Sequence, residues 1–296
     1  MKIGFIGLGA MGRPMAERLL TARHELVVFD VSTANVDALV KAGAARGLSP
    51  RYVAEQTQVT LTSLPNAAIV ASVMTGSDGV FAGARRGHTV LDLSSVGPES
   101  TRKLARQAAS SGIDYLDAPV SGGGKGASNG SLTIMVGAPS EAAFLRVKPI
   151  LDALGDKVYF VGEVGSGNSV KIINNMLLGA NMASLGEALV LGMKIGLDPQ
   201  VMYEILSQSS ARSYALEAKV PDFVMKGNFA PGFMLDLEYK DLTMAVEAAR
   251  DVSMPLPMTT TALQVFEIAR AKGYGKEDMS SVVKVWEGLM ATRVRG

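Results

Sequence analysis

Lys171, Asn174 and Asn175 fall three and four residues apart in an otherwise apolar run from Val170 to Met176. A helix through this run sets a cation and two amides on one face. The apolar neighbours Ile172, Ile173 and Met176 draw the lysine out of water, and burial lowers an ammonium pKa from ~10.4 toward the range where it can take and return a proton. The competing reading is a surface lysine beside two asparagines that satisfy helix carbonyls. Asn175, one turn beyond Lys171, is the better placed amide for a substrate. Rivals for acid–base work are few. The chain has no cysteine and two histidines, His24 and His88, each in a polar turn just ahead of an expected strand and read as a solvated loop residue. None of its seven tyrosines is followed four positions later by lysine. No histidine- or cysteine-based metal centre can be assembled, and no metal is expected.

A second cluster opens the chain, where the apolar strand pattern Ile3, Phe5, Ile6 runs into Gly7-Leu8-Gly9-Ala10-Met11-Gly12 and then into helix formers. This spacing is that of a dinucleotide-binding turn. Gly7 permits the tight strand-to-helix turn, Gly9 lets the backbone approach a pyrophosphate, and Gly12 lets the helix lie close to the strand. The helix N-terminus then offers free N–H groups to the phosphates. A further strand, Glu25–Phe29, ends in Asp30, placed as a ribose-binding acid should be. An acid there accepts from both ribose hydroxyls and repels a 2′-phosphate, which favours NAD over NADP, while Arg13 and Arg18 leave NADP open. The competing reading of Asp30 is a turn residue after a strand.

The third cluster is Asp117-Ala118-Pro119-Val120-Ser121-Gly122-Gly123-Gly124-Lys125-Gly126, at the end of an expected strand. Exposed backbone N–H groups at Gly122 and Gly123, with the Ser121 hydroxyl, can hold a carboxylate; the competing reading is a flexible glycine-rich hairpin. Lys125 is expected to face solvent.

Short apolar strands alternate with helical segments through the first half of the chain, which predicts an α/β fold, a Rossmann-type doubly wound and mostly parallel sheet. After Gly165-Ser166-Gly167 the texture turns to long helical periods rich in Met, Leu and Ala. The expected organisation is a dinucleotide-binding domain over 1–163 and an all-helical substrate and oligomerisation domain over 164–296. Asp198 and Pro199 read as the cap and first turn of a helix. The apolar stretch Ile172–Leu197 carries Asn174, Asn175, Asn181, Glu187 and Lys194, too many polar groups for a lipid-facing span, and is expected as a buried helix. At 296 residues, 48% apolar and a net charge of +1 with signs interspersed, the chain has ample core and no footprint for nucleic acid or a membrane surface. A cytoplasmic enzyme of small-molecule chemistry is expected.

Four stretches together, GFIGLGAMGRPMA at 4–16, DAPVSGG at 117–123, GSGNSVKIINN at 165–175 and YKDL at 239–242, resemble the β-hydroxyacid dehydrogenase family. The resemblance implies that Lys171 is the general acid/base and that Ser121, Gly122 and Gly123 bind the substrate carboxylate with help from Asn174 or Asn175. It further implies that Lys240 approaches the cofactor and that Leu64, Pro65 and Ser95 line its nicotinamide side. The implied activity is NAD(P)-dependent interconversion of a small 3-hydroxy carboxylate and its semialdehyde or ketone in a homodimer or homotetramer. The first substrate expected is 3-hydroxyisobutyrate, with tartronate semialdehyde reduction as the alternative. A non-catalytic dinucleotide-binding module is the alternative of another class.

Overall fold

Alternation between strand and helix produces a sheet covered on both faces. The computed structural model describes residues 1–295 and forms two compact units, Met1–Lys171 and a second from Ile172 onward. In the first unit the strands are β1 (Lys2–Ile6), β2 (Glu25–Phe29), β3 (Ala45–Arg46), β4 (Val59–Thr62), β5 (Thr89–Asp92), β6 (Asp114–Asp117), β7 (Val120–Ser121), β8 (Thr133–Gly137) and β9 (Lys157–Gly162). They join in the order β3-β2-β1-β4-β5-β6-β8-β7, with β9 on β8. β1 to β6 pair in parallel; β8 runs antiparallel to β6 and β7 and parallel to β9. The two-residue strands β3 and β7 are too short to leave an alternation in the sequence.

Successive side chains on a strand point to opposite faces, and the two cores follow that rule. Val28 and Leu91 belong to one cluster with Phe5, Leu61 and Leu116; Val27 and Val90 belong to the other with Val53, Val70 and Tyr115. Burial on both faces explains why β4 and β5 are buried at every position and read as apolar runs. Each fully buried Leu, Val or Phe contributes ~1.5–3 kcal/mol. The helices are α1 (Gly12–Thr21), α2 (Thr33–Lys41), α3 (Pro50–Gln56), α4 (Ala67–Thr75), α5 (Val80–Gly83), α6 (Pro98–Ser110), α7 (Gly123–Asn129) and α8 (Glu141–Leu151). Ser49, Asn66 and Ser140 start three of them with side-chain caps.

One expectation fails here. His88 is not a solvated loop residue: it is 4% exposed, its ring bonds Thr60 Oγ1 at 2.9 Å, and burial pushes its pKa down to about 4. It is a neutral core histidine. Lys125 is exposed, as the sequence suggests.

The helix α9 (Ser166–Lys194) passes from the first unit into the second, followed by α10 (Pro199–Gln208), α11 (Tyr214–Lys219), α12 (Leu235–Asp251), α13 (Pro257–Ala271) and α14 (Val283–Leu289). Asp198 caps α10 by accepting from Val201 N at 3.0 Å, with Pro199 in the first turn. Met182, Leu189, Leu216, Leu242, Phe266 and Val283 form the helical core. The expectation of a buried α9 needs correction: Ile173, Leu177 and Leu191 are 54%, 55% and 62% exposed, so one apolar face of this helix is open. A buried ion pair orders the segment that leads into α12. Asp278 takes Lys219 Nζ at 2.7 Å and the N–H groups of Gly232 and Phe233 at 3.2 and 3.0 Å.

Candidate functional site

The turn between β1 and α1 has the geometry its glycines demand. Gly7 takes φ of +91° and donates its N–H to the Phe29 carbonyl at 3.0 Å. A Cβ on Gly12 would lie 1.8 Å from the Gly7 carbonyl oxygen, whereas one on Gly9 would meet nothing within 4 Å. Leu8, Gly9, Ala10, Arg13 and Pro14 border an open cavity of about 500 Å³; Arg18 packs against Gly130 instead. Met11 makes no side-chain cap on α1, so an anion at this turn meets backbone donors rather than a competing side chain. Asp30 buttresses the loop: its Oδ2 accepts from Leu8 N at 2.5 Å and its Oδ1 from Ser32 N at 2.7 Å. Each oxygen keeps acceptor capacity for a ribose hydroxyl. A turn open at Gly9 and uncapped at α1 therefore fits a dinucleotide pyrophosphate.

The loops after β4 and β5 lie at the carboxyl ends of parallel strands, next to the β1/β4 position where the strand order reverses, which is where open sheets bind ligands. Leu64 N donates to Ser94 Oγ at 2.9 Å, which ties the loop carrying Leu64 and Pro65 to the one carrying Ser95. Beneath them Asp92 is fully buried and accepts from Thr62 Oγ1, Ser94 N and Tyr115 Oη at 2.8, 3.0 and 2.8 Å. Burial pushes its pKa up, and these donors oppose the rise.

Asp117, at the end of β6, anchors the start of α9. Its Oδ1 accepts from Gly165 N at 2.7 Å and its Oδ2 from Asn168 N at 2.8 Å, a carboxylate on the N-terminal N–H groups of a helix. The same strand end leads through β7 to Ser121, Gly122 and Gly123; the first is half-buried and the glycines are exposed. Gly122 and Gly123 take φ of +129° and +60° and turn directly into α7, so this is an ordered turn rather than a hairpin. Lys171 follows one turn after Asn168 on α9 and is 8% exposed.

Burial raises the Asp117 pKa from 3.8 to about 6, against the pull of the two N–H bonds. The folded protein therefore holds a proton between about pH 4 and pH 6 that the unfolded chain has released, and stability falls as pH rises through that window. Relative to Asp117→Asn, wild-type stability should drop by up to about 3 kcal/mol between pH 4 and pH 7 and stay level above. Urea unfolding of both proteins across that range measures it; a difference independent of pH would refute the assignment.

In the second unit, Asn175 is 1% exposed and donates Nδ2 to Asp241 Oδ2, while Lys240 Nζ lies 3.0 Å from Asp241 Oδ1. Asn174 Nδ2 donates to Asn175 Oδ1 at 2.8 Å. The carboxylate thus fixes which way the Asn175 amide faces and brings Lys240 to the same place.

Both halves of the chain meet known patterns. Residues 2–162 match the family model described as the NAD binding domain of 6-phosphogluconate dehydrogenase. Residues 165–286 match the one described as the NAD-binding of NADP-dependent 3-hydroxyisobutyrate dehydrogenase. The chain is 54% identical over 296 residues to the 2-(hydroxymethyl)glutarate dehydrogenase of Eubacterium barkeri, covering 100% of this chain and 98% of that protein. It is 38% identical over 291 residues to the 2-hydroxy-3-oxopropionate reductase of Escherichia coli, covering 98% of each. The chain belongs to the β-hydroxyacid dehydrogenase family. A solved 3-hydroxyisobutyrate dehydrogenase from Salmonella typhimurium superposes with a TM-score of 0.86 at 34% identity, over 96% of this chain and 99% of that one. As a member of that family, the protein is an NAD(P)-dependent oxidoreductase. Among the described residues no cluster of three or more His, Asp or Glu is placed to hold a metal ion.

Reasoning from sequence missed the buried Asp92 and Asn168 of the first unit and Asp241 of the second. A charged residue inside a buried strand, as in Val90-Leu91-Asp92-Leu93, is the signal that points to the first, since a buried carboxylate must have partners.

Proposed function

We propose that the protein oxidises a carboxylate–CH(R)–CH2OH substrate reversibly to its aldehyde, with NAD preferred. The observation that carries this is Lys171, 8% exposed on a helix whose first turn is pinned by Asp117. When bound, the nicotinamide supplies the hydride acceptor. In oxidation the neutral Lys171 amine takes the hydroxyl proton as the C–H bond gives up its hydride; in reduction the ammonium returns it. Ser121, Gly122 and Gly123 hold the substrate carboxylate through the hydroxyl and backbone N–H groups, and Asn175, oriented by Asp241, holds the hydroxyl. Asn174 supports Asn175. Gly7 to Gly12 receive the pyrophosphate, Asp30 the ribose, and Leu64, Pro65, Ser95 and Lys240 the nicotinamide half. Anchoring of the carboxylate supplies orientation on which such chemistry depends.

The substrates named for the relatives from Eubacterium barkeri and Escherichia coli, like 3-hydroxyisobutyrate, share the carboxylate one carbon from the reacting CH2OH or aldehyde carbon and differ in R. The 54% identity over the whole chain supports 2-(hydroxymethyl)glutarate as the first substrate and 3-hydroxyisobutyrate as the second. Initial rates of dinucleotide reduction with these two, glycerate and L-threonate, each with NAD and NADP, test the assignment. The expected result is one clear substrate with NAD ahead of NADP; Asp30→Ala should narrow that preference. Dinucleotide binding without turnover on the whole panel would favour a non-catalytic module.

We also propose a homo-oligomer, supported by the open apolar face of α9 at Ile173, Leu177 and Leu191. Light scattering should return a mass at least twice that of one chain, and a monomer at working concentration would end this reading.

A further inference from the structure

The residues on either side of Ser95 are each fixed from below by a buried polar group. On one side Ser94 N donates to Asp92, which also receives Thr62 from the end of β4 and Tyr115 from β6. On the other, Val96 N donates to Asn168 Oδ1 at 3.1 Å. Asn168 is wholly buried. Its Nδ2 donates to Thr101 Oγ1 at 3.1 Å, which sets the amide so that its oxygen faces Val96. Its own N–H donates to Asp117 Oδ2 at 2.8 Å. Lys171 follows three residues later on the same face of α9.

We infer that Asn168 is a positioning residue: one side chain registers the loop carrying Ser95 against the helix carrying Lys171, and so sets the nicotinamide side of the site against the acid–base group. This rests on the roles proposed above for Ser95 and Lys171. Asn168 touches neither substrate nor dinucleotide in this account. Its effect is on the relative placement of two groups that do, and misplacement by about 1 Å costs ~10²-fold in rate. Both polar atoms of the asparagine side chain are used. A smaller side chain would leave the Val96 N–H without its acceptor in a site closed to water, and the loop would move to find another.

The test separates placement from folding by counting sites. Dinucleotide-binding sites are titrated by quenching of protein fluorescence, and kcat is expressed per titrated site for wild type, Asn168→Ala and Thr101→Val. For Asn168→Ala, kcat per site should fall by roughly 10–100-fold, with a smaller fall for Thr101→Val, which removes the acceptor that orients the amide along with the hydroxyl's own bond to the Gly97 carbonyl one turn earlier. A purely structural asparagine would lower the number of sites and leave kcat per site at the wild-type value in both variants, and that result would overturn the inference. Thr101→Val alone decides the matter if Asn168→Ala does not fold. The underlying reading fails differently: wild-type protein that binds no dinucleotide, or a Lys171→Ala variant with wild-type kcat, overturns the assigned roles and this inference with them.

Discussion

Lys171→Ala should retain dinucleotide binding and lose about 10²–10⁴-fold in kcat, the contribution a positioned general acid–base group makes. Oxidation leaves a proton on the substrate oxygen that must go somewhere as the hydride departs, and no histidine or cysteine stands in for the lysine. The loss should fall on kcat and kcat/KM together, because the amine acts on the reacting oxygen in the transition state. Lys171→Arg should not restore oxidation, since a guanidinium holds its proton throughout the working range and cannot accept another. Initial rates for the three proteins, with sites titrated by dinucleotide fluorescence, measure both. An alanine variant with wild-type kcat would remove Lys171 from the mechanism.

What was legible in the sequence is what local spacing encodes. Gly7, Gly9, Gly12 and Asp30 lie within one strand–helix–strand unit, and the structure gives Gly7 the positive φ and Gly12 the close approach that such a turn needs. The doubly wound sheet and the helical second half follow from periodicity in the same way. The buried groups that hold these loops and helices in shape were not legible, because each acts on a partner far along the chain. Asp92 meets Thr62 across 30 residues, Asn168 meets Val96 across 72, and Asn175 meets Asp241 across 66. A single sequence does not pair such positions. His88 shows the same limit from the other side. Its neighbours Arg85, Arg86 and Gly87 describe a solvated turn, but the partner that makes it a core residue is Thr60 on the adjacent strand. The open face of α9 was hidden for a further reason. Its apolar residues run all round the helix, so composition alone does not tell a residue packed in the core from one left exposed.

Two glycines of one turn should fail in opposite ways, and the contrast separates fold from ligand. At Gly12 a methyl group would sit 1.8 Å from the Gly7 carbonyl oxygen and 3.2 Å from the Phe5 ring. Backbone cannot yield as a flexible side chain does, so Gly12→Ala must push α1 off the end of β1. Overpacking of this kind costs about 1–3 kcal/mol or more, and the displaced helix start carries the N–H groups meant for the pyrophosphate. The expected result is a lower midpoint in urea together with loss of dinucleotide binding. At Gly9 a methyl group would meet nothing within 4 Å, so Gly9→Ala should unfold at the wild-type midpoint. In the proposed binding mode that empty space is where the backbone comes close to a phosphate, and a methyl group there would hold the ligand away. Dinucleotide affinity should drop by roughly tenfold or more, equivalent to at least ~1.4 kcal/mol, with kcat at saturation much less affected. Urea unfolding and fluorescence titration of the two variants side by side would show it. If Gly9→Ala bound dinucleotide as the wild type does, the pyrophosphate would have to lie elsewhere than over this turn.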